Sequence, residues 1–153
     1  MSRTKCGHVL KWDELEAIWK DISDLIWPSW LTSVPAQLGS SSHGKLKADQ
    51  WCILGTTFLL LSLIHLWSSS EKDNECSVWC CGILDVILSL LSAIAITTSW
   101  TTTNDHAEAF HSHLLDYLNG LKKLFPDYEF YPNHHMALHL GKYIKFYGPV
   151  HSW

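Results

Sequence analysis

Cys52-Ile53-Leu54-Gly55-Thr56-Thr57-Phe58-Leu59-Leu60-Leu61 is a nearly unbroken apolar run, and the stretch from Val78 to Thr97 is equally apolar. Whether these two segments form a soluble helical core or a membrane hairpin decides the fold. Asp49 is placed to cap the first, which runs from Gln50 to about Trp67, and the polar residues 68–75 join it to the second. Each approaches the roughly 20 residues a spanning helix needs. His65 interrupts the first; in the second, Asp85, Ser89 and Ser92 fall at i, i+4 and i+7 and make one polar stripe. A carboxylate at a helix centre costs about 2.5–3.5 kcal/mol to insert, which about nine Leu, Ile, Phe or Val residues at ~0.3–0.6 each would offset. Lys45 and Lys47 precede the first segment, but no positive cluster follows the second. The stripe and the amphipathic flanks favour burial in a soluble bundle. A small two-span membrane protein, with apolar helices over 51–67 and 78–97, stands as the alternative.

The flanks repeat the helical period. Trp12, Leu15, Trp19, Ile22 and Ile26 recur at three- and four-residue steps with acidic residues between them, which predicts an amphipathic helix over 11–27 stopped by Pro28. Ser29 to Gly44 turns to Ser, Pro and Gly and reads as a loop, with its linker reaching residue 48. Asn104 or Asp105 caps a further helix whose core face is Phe110, Leu114, Tyr117, Leu118, Leu121 and Leu124, ended by Pro126. A last helix is expected over 133–147, capped by Asn133. No β-alternation of useful length occurs. The expectation is an all-α, irregular bundle of about five helices, one domain over 1–153 with its helical core at 49–125.

With 153 residues the chain is long enough for a core. Eleven basic against fifteen acidic residues, net −4, leave no electrostatic footprint for autonomous nucleic-acid binding. Five cysteines, at 6, 52, 76, 80 and 81, and a charged first twenty residues without an apolar h-region point to a reducing intracellular compartment.

The best chemical signal is Pro132-Asn133-His134-His135-Met136-Ala137-Leu138-His139. On a helix His135 and His139 lie one turn apart and project to the same side, with His134 close by. Such a pair is the usual way a helix offers two nitrogens to zinc. His134, His135 and His139 are therefore a candidate half metal site; the competing reading is that they cap or pack a helix start. Cys76, Cys80 and Cys81 could add thiolates, although no Cys-x-x-Cys occurs. His106, His111 and His113 read as a solvated helix face. Asp85 reads as a hydrogen-bonded structural residue rather than a buried acid. No phosphate loop and no nucleophile–base arrangement is present to assemble a reaction.

Several motifs together resemble one family. Pro28-Ser29-Trp30, His43-Gly44-Lys45-Leu46-Lys47-Ala48-Asp49-Gln50-Trp51, Ser92-Ala93-Ile94 through Thr101-Thr102-Thr103, Leu124-Phe125-Pro126, the Pro132–Leu140 histidine segment and Gly148-Pro149-Val150-His151-Ser152-Trp153 are similar to CACTA-type DDE transposase-derived proteins of mushroom-forming fungi. The similarity runs from about Trp12 onward, to the region after the core transposase domain. It implies a helical insertion plus a histidine pair. In the family, three carboxylates bind two divalent ions, and a Cys-x-x-Cys pair is thought to share zinc with the histidines. Here His139, with His134 or His135, matches that pair, and no residue matches the Cys pair or the upstream acids. The third acid is expected beyond residue 153. Cys52 stands where relatives are usually basic.

The resemblance thus implies a truncated, non-catalytic fragment of a CACTA-like DNA transposase that is not an enzyme. Its cofactor would be zinc at an incomplete site, and its partners transposon DNA or a longer transposase copy. It would be intracellular, and nuclear if functional. The alternatives are the membrane protein above and a zinc-binding interaction module.

Overall fold

A computed structural model describes residues 9–26, 28, 29, 34, 35, 46–68 and 75–150. The described residues are all-α, as the periodicity implies. The helices are α1 (Trp12–Asp24), α2 (Ala48–Ile53), a π-helical stretch (Leu54–Leu59), α3 (Leu60–Ser68), α4 (Glu75–Thr97), α5 (Asn104–Leu124) and α6 (Pro132–Tyr147). The stretch from α2 through α3 is one continuous rod, so the described residues form five rods, in line with the expected number of about five helices. The Ser/Pro/Gly loop expected over 29–44 and the turn at 69–74 lie almost wholly outside the described residues, as do Cys6 and the side chain of Cys76.

The chain divides into two compact units, Met1–Cys80 and Cys81–Trp153. In the first, α1 packs on α3 and the π stretch. Ile18 and Ile22 of α1 are buried, as are Leu54, Phe58, Leu63 and Trp67 of the facing rod. The helix stops at Asp24, earlier than the expected 27, because Leu25 is already extended at ψ 127°. Ile26 therefore leaves the apolar stripe and is 99% exposed. Trp12 also lies outside the core and meets Trp19 edge-on at 5.6 Å. At the start of the π stretch the Thr56 hydroxyl donates to the Cys52 carbonyl at 2.7 Å.

In the second unit Ala93, Ala107, Phe110, Leu114 and Ile144 form the buried cluster, with Tyr117, Leu118, Ala137 and Leu138 packed around it. Two glycines allow close approach of α4 and α5. A Cβ at Gly82 would stand 3.2 Å from Leu124 Cδ2, and one at Gly120 would stand 2.5 Å from Val86 Cγ2. Those pairings run in opposite directions along the two helices, so α4 and α5 are antiparallel. Gly141 likewise brings α6 onto Ala107 and Phe110 of α5.

The helix starts correct three expectations. Lys47, not Asp49, precedes the second rod, and its backbone N–H donates to the Gln50 side chain at 3.0 Å. Asp49 sits in the first turn instead, where its charge complements the helix dipole. Thr103, not Asn104 or Asp105, caps α5 by accepting from the His106 N–H at 3.2 Å. Tyr131, not Asn133, precedes α6, because Pro132 has its φ preset for the first helical position and lacks the N–H that position would waste.

Candidate functional site

The α6 helix divides the three candidate histidines into two roles. His135 and His139 face each other with Nε2 atoms 3.2 Å apart and rings nearly perpendicular at 83°. His135 is exposed and His139 half-buried. At that distance one ring donates an Nε2–H and the other accepts on its lone pair, so the pair holds one proton between the two facing nitrogens. Zinc–nitrogen bonds of about 2.0–2.1 Å at a tetrahedral angle put two ligand atoms about 3.3–3.4 Å apart. The observed separation matches that bite, and the residues present fit two of zinc's four positions.

His134 does something else. Its Nδ1 accepts the Tyr131 backbone N–H at 3.2 Å, filling the third-position role of a capping box. Around its ring stand Tyr117 at 6.2 Å, Tyr128 at 5.9 Å, Phe130 at 5.4 Å and Tyr131 at 6.3 Å. This aromatic enclosure, unforeseen in the sequence, holds the loop 125–131 against the start of α6. The Tyr131-x-x-His134 spacing was its only available signal. Burial, then the nearby Tyr128, raises the Tyr117 hydroxyl above its ordinary range. His134 and His139 are five residues apart, about 140° around the helix, so they cannot share an ion the way His135 and His139 can.

The remaining candidates do not join the pair. Among the described residues no group of three or more His, Cys, Asp or Glu side chains gathers to hold a metal. Cys52, Cys80 and Cys81 are half-buried and in no disulfide. Asp85 is exposed, so it is not a buried acid, and among the described residues no hydrogen bond reaches its carboxylate; the Ser89 hydroxyl donates to its backbone carbonyl at 3.0 Å, which any residue at position 85 would offer. His106 and His113 are half-buried and His111 exposed, so these three are not one solvated face. The Nδ1 of His106 is buried without a hydrogen-bond partner among the described residues.

The α6 surface beside the histidine pair is apolar. Met136, Tyr143, Phe146, Tyr147 and Val150 are exposed, Phe146 to 81%. By helical spacing, His135, His139, Tyr143 and Phe146 lie within about 80° of one another, on one stripe. Lys145 lies off it and pairs with Glu108 of α5 at 3.0 Å.

Two further stretches, Ala48–Trp67 and Ser77–Thr97, are long and apolar enough to cross a membrane, with mean hydropathy 1.4 and 2.2. Compared with known proteins, the chain matches no family model, no curated protein and no solved structure.

Proposed function

We propose that this chain is a catalytically inactive helical element derived from a CACTA-like transposase, whose remaining chemistry is one zinc half-site made by His135 and His139. The observation that carries the reading is the 3.2 Å separation of the two Nε2 atoms on an accessible helix face. Two imidazoles neither close a coordination sphere nor supply the carboxylates that strand transfer uses to bind divalent ions. The element then works by association, with a partner supplying the remaining ligands. The motifs quoted above support the transposase origin, and the acidic balance argues against unaided DNA binding. Titration of the purified chain with zinc, and with cobalt as a spectroscopic substitute, tests the reading. Binding that vanishes in His135→Ala and His139→Ala, with no magnesium-dependent cutting or joining of DNA, is expected. Wild-type binding unaffected by both substitutions, or any such nuclease activity, overturns it.

A second reading, a two-span membrane protein, rests on one observation: only 28% of each apolar window is buried. A core helix of a soluble protein is mostly enclosed. Extraction separates the two readings, since a membrane hairpin requires detergent and the transposase-derived element stays in solution without it.

A further inference from the structure

We propose that His135 and His139 of two copies of this chain close a single four-histidine zinc site on a twofold axis, making the protein a metal-bridged homodimer through α6. This rests on the half-site reading above and adds the identity of the partner.

Stoichiometry is the first argument. The pair presents two nitrogens at the spacing a tetrahedral ion imposes. Its sequence neighbour His134 is committed to the Tyr131 N–H, and among the described residues no third ligand joins them. A twofold axis presents the same surface twice, so it adds two more nitrogens in the same geometry and completes the set of four. On metal binding the ring that donated its Nε2–H moves that proton to Nδ1, leaving both Nε2 lone pairs on the ion and both imidazoles neutral. No other proton needs to leave.

The second argument is the surface beside the pair. Tyr143 and Phe146 continue the stripe one and two turns on, with Met136 at its margin, and all three are exposed. Two α6 helices crossing at a shared zinc would lay these stripes against each other, covering apolar area next to the ion and excluding water from it. Charge does not prevent the approach. Lys145 is already paired with Glu108, and Lys142 is exposed on a flexible stem that can carry its ammonium away from the ion.

The experiment measures mass and metal content of the full chain by sedimentation equilibrium and elemental analysis, with added zinc chloride and again after EDTA. The expected result is a particle of about twice 17.5 kDa holding one zinc per two chains, reverting to monomer with EDTA. His135→Ala or His139→Ala should abolish both dimer and metal, with circular dichroism unchanged because alanine keeps the helix and the buried residues of α6 are Gly141 and Ile144. Phe146→Glu, which leaves the ligands intact, should shift the zinc-dependent dimerisation to at least tenfold higher protein concentration. One zinc per monomer, lost on His135→Ala, overturns the dimer but leaves the half-site reading standing. No zinc binding removes both. A dimer that persists in EDTA or in His139→Ala also overturns the proposal.

Discussion

The indole N–H of Trp67 donates to a carboxylate oxygen of Glu14 at 3.0 Å, joining residues 53 positions apart, and the other oxygen of that carboxylate accepts the Lys11 backbone N–H at 2.8 Å. One side chain thus begins α1 and pins it to the end of α3. Trp67 is only 3% exposed, while Glu14 is half-buried, so the bond lies at the edge of the core.

Glu14→Leu should therefore destabilise the first unit by about 2–3 kcal/mol, chiefly the cost of a buried donor left unpaired. Glu14→Gln keeps one acceptor oxygen and should lose about half as much. In a double-mutant cycle with Trp67→Phe, the coupling should be about 1 kcal/mol, read from urea unfolding. A coupling of zero would mean that the bond contributes nothing.

Gly120 and Gly82 predict opposite outcomes for the same substitution. At Gly120 an added methyl meets Val86 Cγ2 at 2.5 Å, and a β-branched side chain in a helix has one favoured rotamer and little room to turn. Overpacking of about 1–3 kcal/mol then outweighs the roughly 1 kcal/mol that alanine gains over glycine in a helix. At Gly82 the neighbour is the flexible end of Leu124 at 3.2 Å, which can give way. Thermal melts should show Gly120→Ala less stable than wild type and Gly82→Ala equal or more stable.

The helices are legible because each carries its own 3.6-residue signal: Phe110 and Leu114 fall on the apolar face of that period and are buried. Helix ends are less so. An N-cap is settled by which backbone N–H a side chain reaches, so Thr103 displaced Asn104 and Tyr131 with Pro132 displaced Asn133. The π stretch, Leu54–Leu59, lies inside an otherwise continuous apolar helix, and the 3.6-residue period of the sequence carries no sign of it. At the candidate site the four-residue step from His135 to His139 reads directly as shared facing. The fate of His134 did not, because its partners, Tyr117, Tyr128 and Phe130, come from α5 and the loop after it.

Tyr117 gives the second unit a pH dependence. Burial, and secondarily Tyr128, raises its folded-state hydroxyl above the unfolded value of about 10. The folded state therefore holds this proton more tightly than the unfolded state. Its contribution to stability is complete below about pH 10 and is lost as pH rises through the elevated value. Unfolding titrations between about pH 8 and 11 should show stability falling at the alkaline end, and Tyr117→Phe should flatten that fall. An unchanged slope in the variant would assign the effect to other groups.

His134 and His135 are adjacent in sequence, yet substituting them should damage different properties. His134→Ala removes the acceptor for the Tyr131 N–H and empties the centre of the aromatic enclosure around Tyr117, Tyr128 and Phe130. Loss of a capping interaction costs about 0.5–2 kcal/mol, and loss of the ring contacts adds to it. His134→Gln restores an acceptor at the same helical position and should recover part of that stability, as expected for a capping box. Zinc affinity should be nearly unchanged in both, since His134 Nδ1 is occupied by the backbone and its ring lies away from the 3.2 Å pair. His135→Ala should show the converse, with an unaltered melting temperature in EDTA and no metal binding. Should His134→Ala instead abolish zinc binding at full stability, the division of labour along this single turn of α6 would be wrong, and the ion would have to sit on the other side of the helix.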